Sequence, residues 1–248
     1  FGFLCNRKII FHIHECFAKL NLFQRFLFWV VRNFSHKILC VSNVVLNQVN
    51  SKKSLLLHNS LSKEFERKSK PLKKKSNNNI LMISSLKSYK GIYQFYDIAL
   101  NNPKLNFNLV ISSNFKEIEL AFEKYSKLNN LKIHPLQKNL HLFYKKNDLI
   151  LCLTDYRIVV ETFGLAILEA MCYGLPCIVP PKSGVTDLVI NNYNGLIVEP
   201  FNSKKLSLSI NKILNPKNYN SFKNNSLIRY KKFKSENFRK QLNELLGL

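Results

Sequence analysis

ETFGLAILEAMCYGLPCIVPPKSGVTDLVINNYNG, from Glu161 to Gly195, is the stretch that decides the fold. Just before it, LILCLT (149–154) is a short apolar run of strand type ending in a polar loop. The spacing predicts a helix from about Thr162, with Thr162 as N-cap and Phe163 and Gly164 in the first turn. Leu165, Leu168 and Cys172 are expected to share its core-facing side, which leaves Ala166, Glu169 and Tyr173 on a neighbouring face. Gly164 removes a side chain where the helix exposes unpaired N–H groups and the positive end of its dipole, so a phosphate can approach the backbone. Glu161 precedes that end, and Glu169 lies roughly 9 Å along the axis at about 1.5 Å per residue. Further on, Ser183 and Gly184 read as a tight turn, with Asp187 at a helix start.

The same alternation extends in both directions. Apolar runs of strand length separated by segments of helical period are the pattern of βαβ units and a parallel sheet. Strands are expected at 8–15, 37–42 and 54–59, then at 80–85, 107–113, 131–136, 149–154, 176–181 and 196–200, with helices in every gap. Between the two groups, SLSKEFERKSKPLKKKSNNN (60–79) is polar and strongly basic, and reads as a solvated linker. The fold class is therefore α/β: a partial unit over 1–60, a linker over 61–79, and a doubly wound parallel-sheet domain over 80–248 closed by a basic helical tail from about Ser221. Ligands of such sheets sit at the carboxyl ends of the strands.

Composition narrows the class. Apolar residues make up 46% of the 248, too many for a disordered chain. The run Phe26–Val31 falls far short of the ~20 residues of a membrane-spanning helix. A net charge of +23 attracts nucleotides, nucleic acid or anionic lipid, although the excess of Lys, Asn, Ile and Phe equally fits a bias in coding composition. The six cysteines (Cys5, Cys16, Cys40, Cys152, Cys172, Cys177) lack Cys-x-x-Cys spacing, which suits a reducing cytosol. Without a charged leader and cleavage site the start reads as a truncation rather than a signal peptide.

Carboxylates accept hydrogen bonds from sugar hydroxyls, so the layout suits a nucleotide diphosphate sugar: Glu161 at the sugar, backbone at the diphosphate, Glu169 at the ribose. In Glu161, FGL, Glu169, EAMCYGLPCIVP, SGVTDLV and NG the chain closely resembles the family 4 glycosyltransferases. SSLKSYKG (84–91) resembles the family segment in which a basic pair holds the diphosphate: Lys90 matches the family lysine, while Ser85 stands where many members carry arginine, leaving Lys87 to supply that contact. FHIHE ends a strand with His14, resembling the family histidine that faces the donor sugar, though His12 shares its strand face. VSNVV, with Ser42 as N-cap, and HNS (58–60) match later strand ends of the acceptor domain, and Asn59 marks the hinge.

The resemblance implies a GT-B fold, two facing Rossmann-like domains with the donor in the cleft, and retention of anomeric configuration. It implies catalytic roles for Glu161, Lys90 and His14, and donor contacts from Glu169, Phe163, Gly164, Leu165, Ala166, Lys87, Ser85 and Gly184. No metal site or cofactor is expected, the nucleotide diphosphate sugar being the donor substrate. The acceptor would be a glycan or lipid-linked sugar of cell-surface polysaccharide synthesis, in the cytoplasm or at the inner face of the membrane. The segment 16–37, rich in Phe and Trp with interspersed Lys and Arg, is open to two readings: a helix packed on its own sheet, or a contact with anionic lipid. Competing functions are a non-catalytic nucleotide-sugar-binding remnant, an epimerase on the same fold, and a nucleic-acid binder, for which no recognition motif is present.

Overall fold

The structure, a computed structural model, describes residues 7–69 and 77–247. Cys5 and most of the lysine-rich part of the expected linker lie outside the described residues.

A small parallel sheet comes first, built from β1 (Ile10–Ile13), β2 (Lys37–Cys40) and β3 (Ser54–Leu56) in chain order. Its central strand holds Ile38, Leu39 and Cys40 out of solvent. Two helices make the crossovers: α1 (Leu22–Phe34) opens on a capping box between Asn21 and Gln24, and α2 (Asn43–Val49) opens on Ser42, whose hydroxyl accepts from the Val45 amide as the sequence suggests.

The expected solvated linker contains a helix, α3 (Lys63–Lys68), capped by Ser62. Its one aromatic residue explains the difference. The Phe65 ring packs against His141, Tyr144 and Tyr173, an apolar burial that a solvated chain would forfeit.

Six parallel strands then form the large sheet: β4 (Asn79–Ser84), β5 (Asn106–Ile111), β6 (Leu131–His134), β7 (Leu149–Leu151), β8 (Cys177–Val179) and β9 (Gly195–Ile197). Their order is β6-β5-β4-β7-β8-β9, so the winding direction reverses between β4 and β7. Helices α4 (Ile92–Leu100), α5 (Phe115–Phe122), α6 (His141–Lys146) and α7 (Leu165–Cys172) fill the early gaps. Between β8 and β9 the expected helix is a single 3₁₀ turn, Gly184–Asp187, with Val185 wholly buried.

The segment expected as a basic tail is part of the core. Helix α8 (Ser203–Leu214) leads into α9 (Pro216–Tyr230), which buries Tyr219, Phe222 and Tyr230. After it, α10 (Ser235–Leu246) returns to the small sheet, where Gln241 Nε2 donates to the Leu56 carbonyl at 2.9 Å and Lys37 Nζ donates to that of Leu245. The last helix thus serves the small sheet. One apolar cluster joins Ile38, Cys40 and Val45 of the small unit to Phe163, Ile167 and Leu168 of the large one, and a second fills the opposite face around Phe95, Phe107 and Ile210. Each such side chain contributes about 1.5–3 kcal/mol on burial. The described cysteines, Cys16, Cys40, Cys152, Cys172 and Cys177, are free thiols.

Candidate functional site

The reversal between β4 and β7 leaves a crevice at the carboxyl ends of those two strands, where open α/β sheets place their ligands. A cavity of about 270 Å³ occupies it. Ser84, Ser85 and Lys90 line it from the β4 side, Cys152 and Thr154 from the β7 side, and Glu161, Gly164, Leu165 and Ala166 close it.

Local sequence explains how α7 enters this cavity. Thr162 does not cap the helix; Gly164 does, with φ 87° and ψ 64°, a left-handed conformation that side chains resist. A Cβ there would stand 2.2 Å from Val185 Cγ1, so the glycine also makes room for the buried 3₁₀ turn. The chain therefore makes one more bend than a threonine cap would give, and the helix starts at Leu165. The Leu165 and Ala166 amides, in its first turn, have no acceptor within the helix. Leu165 is 49% exposed instead of core-facing, and Ile167, Leu168, Ala170 and Met171 supply the buried side.

Lys90 and Glu161 meet at the cavity wall, Nζ to Oε2 2.6 Å, and Thr154 Oγ1 donates to the same oxygen at 3.3 Å. Burial disfavours the Lys90 charge, but the Glu161 carboxylate more than offsets it and holds the ammonium pKa above its ordinary value. The backbone of Glu161 is fixed as well: its carbonyl accepts from the Gly184 amide at 2.6 Å. Gly184 lies so close that a Cβ would fall 1.8 Å from the Thr162 carbonyl oxygen.

Other predicted residues lie around this centre rather than in it. Phe163 is buried beneath the cavity, its ring 6.0 Å from that of His58. Lys87 is exposed at the start of the 3₁₀ turn that carries Lys90. Gly184 acts through Glu161, as described. Glu169 lies one helical turn beyond Leu165, on the face that continues from the cavity, and Tyr144 Oη donates to its Oε2 at 2.5 Å. Burial raises the Glu169 pKa, and the Tyr144 hydrogen bond opposes that rise. His14 sits just past β1 with its Nε2 3.2 Å from His12 Nδ1, exposed and outside the cavity lining. Two residues on, burial first, then the charges of Glu15 and Glu161, push the Cys16 thiol up to about 11.

Asp187, read from the sequence as a helix start, closes the 3₁₀ turn and faces the small unit. Its Oδ2 accepts from the Asn43 amide at 2.7 Å and lies 3.1 Å from His58 Nε2, so it joins the large unit to the first residue of α2. Burial works against its charge, yet the bonds from His58 and Asn43 prevail and hold its pKa below the ordinary carboxylate value.

The pattern described as glycosyl transferases group 1 matches residues 62–229, which span the cavity, both glutamates and Lys90. The chain belongs to the group 1 glycosyl transferases. An uncharacterized glycosyltransferase of Methanocaldococcus jannaschii is 24% identical over 208 residues, covering 79% of this chain and 55% of its own length. The chain thus spans about half of that relative. A structure of Anabaena HepE in complex with UDP and glucose superposes with a TM-score of 0.80 at 19% identity, over 99% of this chain and 73% of that one. Sucrose-phosphate synthase of Thermosynechococcus elongatus gives 0.81 at 18%, over 97% and 67%. At that identity the likeness is one of fold, the GT-B arrangement of two Rossmann-like units. Sequence reading of this glycosyl transferase missed Thr154 and Tyr144. Both touch a site carboxylate through folding, and only the strand-end position of Thr154 hinted at it.

Proposed function

We propose that the chain transfers a sugar from a nucleotide diphosphate sugar to a glycan or lipid-linked acceptor in the making of a cell-surface polysaccharide, with retention of configuration. The observation that carries this reading is the Lys90–Glu161 pair, 2.6 Å apart at the sheet reversal beside the first turn of α7. The diphosphate takes the Lys90 ammonium and the free amides of Leu165 and Ala166; Glu161 receives a sugar hydroxyl and Glu169 a ribose hydroxyl. Ser85 adds a hydroxyl to the phosphate wall where a second cation would strengthen it. As the glycosidic bond opens, charge gathers on the leaving phosphate, where Lys90 and the helix end stabilise it. That phosphate accepts the proton of the incoming acceptor hydroxyl on the same face of the sugar. His14 contributes from the small unit, and the donor needs no cofactor. HepE structures holding UDP, and UDP with glucose, support the ligand class.

A peripheral site at the cytoplasmic face of a membrane fits the lipid-linked acceptor. In α1 Phe28 is the one buried residue, while Phe23, Phe26, Leu27 and Trp29 face outward, and no acidic residue occurs between Glu15 and Glu64. Among the described residues no helix is long and apolar enough to cross a membrane.

The test is calorimetry with UDP, GDP and ADP, followed by transfer of radiolabelled sugar to a membrane fraction. One of the three is expected to bind, and Glu169→Ala to weaken it by more than about 1 kcal/mol. If none binds, or that substitution changes nothing, the site is wrong; binding without transfer would reduce the chain to a donor-binding remnant.

A further inference from the structure

Tyr144 is fully buried and donates its hydroxyl to Glu169 across 25 residues of sequence. Only one carboxylate oxygen is engaged: among the described residues Glu169 Oε1 has no hydrogen-bond partner, so it remains available to a ligand. We infer that Tyr144 is the positioning residue for Glu169, holding one oxygen so that the other is presented to the ribose hydroxyls, and that the connecting helix α3 braces Tyr144 through Phe65. The inference rests on the ribose role proposed for Glu169 and names the part of the protein that makes that role possible.

A glutamate on a helix has three rotatable side-chain bonds, and fixing them costs free energy at the moment of binding. An internal hydrogen bond of 2.5 Å removes much of that freedom beforehand. The donor is itself held. Tyr173 stacks on the Tyr144 ring with centroids 5.5 Å apart and planes within 18°, and its hydroxyl meets His141 Nδ1. Phe65 stands edge-on to both tyrosines, at 6.2 and 6.3 Å, and lies 4.4 Å from the His141 ring. Burial and the neighbouring carboxylate keep the Tyr144 hydroxyl protonated, so it donates throughout the working pH range. Its hydrogen bond also favours the ionised Glu169 against the effect of burial, which preserves an acceptor for a ribose hydroxyl.

The experiment compares 2′-deoxy and 3′-deoxy forms of UDP, GDP and ADP with the ordinary nucleotides, and reads the ratio of dissociation constants. In the unaltered protein one deoxy form is expected to bind at least tenfold more weakly, the scale of a hydrogen bond to a charged group. Tyr144→Phe keeps the ring and its stacking. It should weaken the ordinary nucleotide about tenfold, leave the deoxy form within twofold, and so collapse the ratio. Glu169→Gln should collapse it too, and the two changes together should do little more than either alone. If Glu169→Gln abolishes discrimination while Tyr144→Phe retains it, the positioning role is overturned and the ribose role stands. If Glu169→Gln itself leaves the ratio intact, the ribose role falls and this inference with it. Phe65→Leu leaves both hydrogen-bonding groups in place and should lower the ratio by a smaller factor. Should Tyr144→Phe not fold, an unchanged ratio in Phe65→Leu overturns the proposal.

Discussion

Lys90 Nζ and Glu161 Oε2 lie 2.6 Å apart although 71 residues separate them in sequence. Both side chains are about three-quarters covered, at 23% and 25% exposure, so solvent screens the pair only in part. A cation that a diphosphate would use is therefore balanced by a carboxylate in the same wall. On the proposed function a donor would share that cation, and the two partners are expected to respond differently to substitution.

Glu161→Gln removes the competing negative charge and keeps the shape. Nucleoside diphosphate affinity is expected to rise a few-fold, the effect of removing a nearby like charge, while sugar transfer falls by about 100-fold or more. Calorimetry and radiolabel transfer on the same preparation measure both. A parallel loss of binding and transfer would show that Glu161 acts by positioning Lys90 and not by receiving a sugar hydroxyl.

Lys90→Met should weaken nucleoside diphosphate binding by about 1.5–3 kcal/mol. In the unaltered protein the Lys90 pKa lies above its ordinary 10.5, so the stabilisation from its pair with Glu161 is present below that value and is lost only as pH rises beyond it. Unfolding followed in alkaline buffers should show that decline shifted or absent in Lys90→Met.

Asp187→Ala is expected to cost about 1–2 kcal/mol by orphaning the Asn43 amide and His58. Since the folded pKa is depressed, this contribution is present above the ordinary carboxylate range and disappears as pH falls through the lower folded value. Urea titrations down to acid pH should therefore find the mutant and wild type converging. Equal stabilities at neutral pH would contradict the joint.

Gly184→Ala should be the more damaging of two glycine substitutions, because its Cβ would meet the Thr162 backbone at 1.8 Å, whereas that of Gly164→Ala meets the Val185 side chain at 2.2 Å. Losses of about 3 kcal/mol or more for the first and 1–3 kcal/mol for the second are expected. A Gly184→Ala protein that binds nucleotide as the wild type does would show that the Glu161 loop does not depend on that contact.

Strand sites and the helix end at the cavity were legible because both are written in local sequence: apolar runs of strand length, and a glycine between two glutamates. Helix start and cap were not, since Gly164 takes a left-handed turn that Val185 completes from across the loop. Tyr144 escaped notice for a similar reason, as nothing near it in sequence announces a carboxylate 25 residues on. Asp187 read as an ordinary helix start, because its partners His58 and Asn43 lie 129 and 144 residues away. Phe65 stood in a polar, basic stretch where one aromatic ring carries little weight until its neighbours are known.

Peptide chain passes between the two sheets twice, once through α3 and again where α9 gives way to α10, and Glu66 ties the passages together by accepting from Tyr230 and Ser235. Two neighbouring crossings tied at one carboxylate resist twisting of one sheet against the other, so Glu66 fixes the alignment of the small unit on the large one far from the cavity it never touches.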